Sequence, residues 1–174
     1  MSRRRDMHGF TLIELMIVLA LLSIVAIIAV PNFNTLIRNN QVQSKADELA
    51  AFLQYARGQA VINRTIYEVK ICNDDGQWII RKFASSNGNN CTDGEIERVM
   101  EHNPEQVEIL NTTLSNNSLL YRPNGTTTAA KFTVCRDSDH ASGYLLDVKA
   151  TGNVSQYRRG EKDSSGTPMT NCTP

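Results

Sequence analysis

The apolar residues of this chain are gathered at one end. From Phe10 to Val30 it reads FTLIELMIVLALLSIVAIIAV, 21 residues in which Glu14 is the one ionisable side chain and Thr11 and Ser23 are the other polar ones. At ~1.5 Å rise per residue such a helix is roughly 31 Å long, enough to cross a hydrocarbon core of ~30 Å. Residues 32–63 continue with a helical period: Leu36, Val42, Ala46, Leu49, Leu53, Ala56 and Ala60 recur mostly three and four apart, and Arg38, Gln41, Lys45, Glu48 and Arg57 fall on the opposite face. A stripe of this kind reads as core to be covered by other structure. Between the two halves stands Pro31, which lacks an amide hydrogen and should kink the helix where the apolar stretch ends.

After Asn63 the period changes from helical to two. Tyr67, Val69 and Ile71 alternate with Glu68 and Lys70, Asn73-Asp74-Asp75-Gly76 forms a turn, and Gln77 to Phe83 reads as the returning strand of a hairpin. A polar loop is expected from Ala84 to Glu97, with weaker strand signals at Val107 to Leu110 and Leu119 to Arg122 and a turn at Pro123-Asn124-Gly125. Lys131 to Cys135 and Tyr144 to Lys149 are strands, and Thr151-Gly152-Asn153 turns into a last one at Val154 to Arg158. Residues 161–174 read as a polar tail. One long helix followed by about seven short strands predicts an α+β fold with antiparallel sheets on the outer half of the helix.

A chain of 174 residues supports one globular domain besides its apolar segment. Lys+Arg and Asp+Glu balance at 18 each, which excludes a polybasic nucleic-acid coat and an acidic disordered tail. Arg3, Arg4 and Arg5 outweigh Asp6 ahead of the apolar stretch and should keep the N-terminus cytoplasmic, so that the remainder is exported. The stretch is longer than the ~7 to 15 apolar residues of a removable signal peptide, and Ala26 to Ala29 run on into helix-compatible sequence. It is expected to be retained.

Glu14 is the anomaly within it, because a carboxylate costs about 2 to 3 kcal/mol at the centre of a membrane helix and less toward the interface. A cut between Gly9 and Phe10 would place a new α-amino group about one turn from Glu14, on this chain or on a neighbour, and such a pair would fix the axial register of a helix bundle.

Gly9-Phe10-Thr11-Leu12-Ile13-Glu14-Leu15-Met16 behind a short basic leader resembles the signal of type IV pilins and type II secretion pseudopilins. The resemblance implies cleavage between Gly9 and Phe10 by a prepilin peptidase, N-methylation of Phe10, an essential role for Glu14 in assembly, and a helix-bending role for Pro31. Ala56-Arg57-Gly58-Gln59-Ala60-Val61, the hairpin after it, Phe132 to Cys135 and Val148 to Val154 are similar, over nearly the whole chain, to the GspH/FimT/FimU group of minor pilins and pseudopilins. That likeness implies a pilin-like helix carrying a two-sheet β-sandwich. It divides the chain into a cleaved leader at 1–9, a transmembrane half-helix at 10–30, and a periplasmic domain at 31–174 whose tail is 161–174. The implied partners are other minor and major pilins, the prepilin peptidase, the inner-membrane assembly platform, and the membrane itself before assembly. The implied function is a minor type IV pilin that helps to initiate the pilus and is incorporated at or near its tip; a DNA-binding minor pilin and a type II secretion minor pseudopilin are the alternatives.

Cys72, Cys91, Cys135 and Cys172 form an even set in an exported, oxidising context, which points to two disulfides. Three connectivities are open. Pairing Cys72 with Cys91 and Cys135 with Cys172 is favoured, since each bond then ties a strand end to a loop or tail poor in apolar residues.

No catalytic pattern emerges. His8, His102 and His140 stand apart in polar contexts and read as solvated. Asp74-Asp75-Gly76 and Asp137-Ser138-Asp139 lack EF-hand spacing and read as turns rather than a Ca²⁺ site. No enzyme activity, cofactor or metal is expected. For nucleic acid, FimT-like members are associated with a Gly-Arg-x-Arg motif, and the corresponding Gly152-Asn153-Val154-Ser155 lacks both arginines. Arg158 and Arg159 beside Tyr157 are the substitute contact, set against a net charge of −2 once the leader's three arginines and one aspartate are removed. Nucleic acid is therefore not an expected partner.

Overall fold

The computed structural model describes residues 10–72, 76–84, 90–112 and 114–174. The leader with Gly9, the Asn73-Asp74-Asp75 part of the first turn and the middle of the loop after Ala84 lie outside the described residues. The chain forms two compact units, one running through Arg38 and the other Asn39–Pro174. A single helix, α1 (Leu12–Ile62), contributes to both and continues through position 31 without ending.

Among the described residues of the second unit, eight strands make two antiparallel sheets. The first sheet has the order β3-β2-β1-β5, from β1 (Tyr67–Cys72), β2 (Gln77–Lys82), β3 (Ile96–Glu101) and β5 (Ser118–Tyr121). The second has the order β4-β6-β7-β8, from β4 (Glu108–Asn111), β6 (Ala130–Arg136), β7 (Asp139–Val148) and β8 (Val154–Gln156). Val42, Ala46, Leu49, Leu53, Ala56 and Ala60 are all buried in one cluster with the inward residues of both sheets, so the stripe read from the helical period is the core. Phe52 belongs to the same stripe and is 2% exposed. Burying side chains of this size stabilises by about 1.5–3 kcal/mol each. Trp78 of β2 meets Phe132 of β6 at 5.5 Å between ring centroids, which joins the two inner faces. Leu36 departs from the expectation: it is 53% exposed and continues the apolar surface of the first unit.

Three readings of the strands are corrected. The loop expected from Ala84 to Glu97 ends early: β3 starts at Ile96 and runs on through residues 98–101, to which the sequence pattern assigns no element, because Ile-Glu-Arg-Val-Met-Glu hides its nature. It is an edge strand in which Met100 alone is fully buried, and a bulge opposite Ile80/Arg81 adds an extra residue at Glu97, so no clean alternation survives. β7 begins at Asp139 rather than near Tyr144, because Asp137 and Ser138 both adopt positive φ (51° and 59°) and close a two-residue hairpin turn. Glu68 and Lys70, expected on a solvated face, are only 5% and 4% exposed.

The last correction has a cause on the outer face of the first sheet. The Cys72–Cys91 disulfide draws the loop around Asn90 to Asp93 onto that face. Arg81, fully buried, donates from Nε to Glu68 Oε2 at 2.7 Å and from Nη1 to the carbonyls of Asn90, at 2.9 Å, and Asp93. Ser118 donates to the other Glu68 oxygen at 2.6 Å, and Lys70 donates to Asn116 O. The pair is tolerated because nearly every polar atom in it has a partner.

The second sheet is covered in a similar way. Cys135–Cys172 holds the C-terminal segment against the outer face, where Cys135, Leu145, Met169 and Cys172 form a small separate core and Thr133 donates to Cys172 O. Gly143 makes room for the bond, since a Cβ there would stand 2.7 Å from the Cys135 sulfur. The polar tail at 161–174 is thus an ordered cover with its own bonds, Met169 N–H to Gly160 O at 2.7 Å among them. Both disulfides have the connectivity favoured from sequence. Cys172→Ser should destabilise the domain by about 2–4 kcal/mol and make the segment after Gly160 the first site of limited proteolysis; equal resistance with and without the bond would show that packing alone holds it.

Candidate functional site

The residues singled out at the N-terminus form one local structure. Thr11 caps α1: its backbone N–H and its hydroxyl each donate to Glu14 Oε2 at 2.9 Å, and Glu14 N–H donates back to Thr11 Oγ1 at 3.3 Å. This is a capping box, in which the first residue of a Thr-x-x-Glu sequence and the fourth satisfy each other's exposed backbone donors. The Glu14 carboxylate therefore has partners within its own chain. The signal for it, Thr11-Leu12-Ile13-Glu14, is plain in the sequence and was read for charge alone.

Beyond the cap, every residue of 12–38 whose side chain is described is exposed. Phe10 is 87% exposed, and the aliphatic side chains from Leu12 to Val30 lie between 45% and 76%. Two of its polar side chains bond the helix itself: Ser23 Oγ donates to Ala20 O at 2.7 Å, and Asn32 Nδ2 to Ile28 O at 3.1 Å, beside the amide that Pro31 lacks. An apolar surface that large is built for lipid or for other helices.

The remaining candidates are dispersed. Arg158 and Arg159 are exposed just after β8, but Tyr157 beside them is half-buried against the Cys135–Cys172 cluster and donates to Asp147 Oδ2 at 3.2 Å. Burial and Asp147 raise its pKa, and its ring is no open stacking platform. Asp137 and Ser138 are spent on the hairpin turn. Among the described residues no group of three His, Cys, Asp or Glu side chains could hold a metal ion. His102, expected in solvent, is half-buried; burial and then Lys45 lower its pKa.

The sequence profile described as Type II transport protein GspH matches residues 45–152, more than half of the chain. The chain belongs to the GspH family. A second profile, the prokaryotic N-terminal methylation motif, matches residues 4–30. The fold is similar to that of the type IV minor pilin FimU of Pseudomonas aeruginosa, at TM-score 0.62 and 23% identity over 76% of this chain and 96% of that one. It is also similar to the minor pseudopilin EpsH of the Vibrio cholerae type 2 secretion system, at TM-score 0.52 and 11% identity over 69% of this chain and 98% of that one. No curated protein matches. The chain is therefore a GspH/FimT/FimU-type minor pilin or pseudopilin, of a family of structural subunits that assemble with other pilins and are anchored in a membrane beforehand.

Within this GspH-family domain, two clusters that sequence patterning missed hold the loops in place. Arg57, placed on the solvated helix face by its period, donates from Nε to Gly125 O and from Nη2 to Thr151 O, both at 3.2 Å, and so joins the turns before β6 and before β8. The turns touch so closely that a Cβ on Gly152 would fall 1.9 Å from Gly125 O, and φ is +78° there, so glycine is required. Tyr67, fully buried, accepts from Asn63 Nδ2 at 2.9 Å and donates to Glu97, which the β3 bulge turns inward. No one-dimensional pattern marks a long-range bond of this sort.

Burial, then the bond to Glu97, push the Tyr67 phenol from 10 up to about 12. The folded state holds this proton more tightly than the unfolded chain, so the contribution to stability is complete below about pH 10 and is lost as pH rises toward 12. Thermal melts between pH 8 and pH 11 should show stability falling above pH 10, with a shallower fall in Tyr67→Phe; identical slopes would remove Tyr67 from the account.

Proposed function

We propose that this chain is a minor type IV pilin that helps to initiate the pilus and is incorporated at or near its tip. It is made as a prepilin whose leader 1–9 is removed between Gly9 and Phe10, with N-methylation of Phe10. Residues 10–30 span the inner membrane and 31–174 stand in the periplasm, until an assembly platform draws the subunit into a bundle of like helices. The carrying observation is an exposed apolar stretch, 10–30, whose one carboxylate, Glu14, accepts from the backbone N–H and hydroxyl of Thr11 at the start of the helix. In lipid that cap offsets the cost of the charge; in a bundle the carboxylate can exchange Thr11 for the Phe10 amine of a neighbour, which selects one register over others. Pro31 gives the helix a point at which to bend during this transfer.

A type II secretion minor pseudopilin is the second reading, favoured by the GspH profile and the likeness to EpsH. Co-purification with pilins or with secretion pseudopilins separates the two. The shared part of the proposal is tested on the natural product: its mass should show an N-methylated Phe10 at the start of the chain. An intact Met1, or loss of the whole Phe10–Val30 segment, would refute it. Glu14→Ala should be cut normally yet enter filaments at least about tenfold less, since one partner of a buried pair is then missing; normal incorporation would dismiss the role given to Glu14.

A further inference from the structure

The end of the domain at which α1 stops carries positive charge and exposed aliphatic side chains together. Tyr67 lies opposite Tyr121, Ala130 opposite Val148 and Val148 opposite Val154, so the start of β1, the end of β5 and the adjoining termini of β6, β7 and β8 all meet there. Residues 54–66, 121–130 and 148–156, which converge at this end, contain Arg57, Arg64, Arg122 and Lys149 and no Asp or Glu. Among the described residues, ion pairs form elsewhere, as between Lys45 and Glu48 or Lys82 and Glu95, and these four cations take part in none. On the side of the first sheet, Glu97 is bonded by Tyr67. Beyond Lys149 a groove leads to Glu161 and Asp163, and the Asp163 carboxylate is turned onto its own loop, where it accepts from Ser165 N–H at 2.8 Å and Thr167 N–H at 3.0 Å. Amid the four cations stand Val61 and Ile62, 47% and 75% exposed. Their surroundings are fixed: Arg57 joins the two turns, Thr127 N–H donates to Ala150 O at 3.0 Å, and Gly125 packs on Val61, whose Cγ2 would lie 3.2 Å from a Cβ there.

We propose that this end is the docking face for a different pilin subunit, which meets Val61 and Ile62 with an apolar patch and Arg64, Arg122 and Lys149 with aspartate and glutamate side chains. An apolar centre ringed by charge, on turns already held in place before binding, is the anatomy of a protein interface. Nucleic acid fits it less well. The aromatic rings of these segments, Tyr55 and Tyr121, are half-buried and buried and offer no base a stacking surface, and contact with phosphates alone would leave Ile62 in water. A minor subunit is flanked by pilins other than itself, so the inference rests on the function proposed above and adds the surface chemistry of one neighbour. Exposed ion pairs are individually weak and are screened beyond about 8 Å in physiological salt. The contact therefore acts once the N-terminal helices hold the two domains together and raise their effective concentration.

The test uses the full chain in its native membrane with a photoreactive benzoylphenylalanine at position 62. Illumination should give an adduct with one other pilin subunit, identified by mass, whose linked peptide lies in a surface bearing aspartate or glutamate. Arg64→Glu/Arg122→Glu should lower its yield at least about tenfold, because like charges then face each other. Lysines in place of the mapped carboxylates of that subunit should restore the adduct, which also shows that the double variant is folded. Arg158→Glu/Arg159→Glu, an equal change of net charge outside the face, should leave the yield as it was. A yield insensitive to Arg64→Glu/Arg122→Glu, a swap that fails to rescue, or an adduct with lipid, nucleic acid or a second copy alone would overturn the proposal. Sheared filaments separate it from the reading on which it rests. Normal incorporation without the adduct defeats the contact alone, whereas the expected adduct with a secretion pseudopilin, in cells whose filaments lack this chain, defeats the pilus reading and upholds the contact.

Discussion

A membrane-length run of exposed apolar side chains is the constraint from which the rest follows. Among the described residues the aliphatic side chains from Leu12 to Val30 are exposed, and water is the worst of the available surroundings for them. Two environments meet the need: lipid, and the side of another such helix. Both are as apolar as leucine, so exchange between them turns on small terms, packing and the few polar groups. Glu14 is the one charged group among residues 10–30, and its capping box supplies it with partners inside its own chain.

The globular unit solves a different problem. Its core helix has a narrow stripe of small and medium residues, with three alanines among Val42, Ala46, Leu49, Leu53, Ala56 and Ala60, which lets both sheets come close to the backbone. A sandwich of short strands leaves two outer faces, and here each is roofed by a segment with few apolar residues. Such segments bury too little surface to hold themselves down. The disulfides to Cys91 and Cys172 make up the difference, assisted on the first sheet by Arg81 and on the second by Thr133. The covers thus depend on bonds that persist only under oxidising conditions.

Arg57 and Arg81 occupy a middle ground between fold and function. Both bind backbone carbonyls of loops, at Gly125 and Thr151 in one case and at Asn90 and Asp93 in the other. A guanidinium can serve several acceptors at once from a fixed plane, which makes it suited to holding irregular chain where no ladder is possible.

The sequence by itself determined the membrane-length helix, the N-terminal methylation motif, the core stripe from Val42 to Ala60, and most of the strands. Each is a local pattern, a run, a period or a spacing, and local patterns survive in one dimension. The tertiary structure decided what lies on the sheets' outer faces. Alternation puts Glu68 and Lys70 on the face opposite Tyr67 and Val69, but it reports only that two faces differ, and cannot say that a loop held by Cys91 will cover the second one. β3 escaped notice because its bulge at Glu97 breaks the period that identifies a strand, and the partner that gives that bulge a purpose, Tyr67, is 30 residues away.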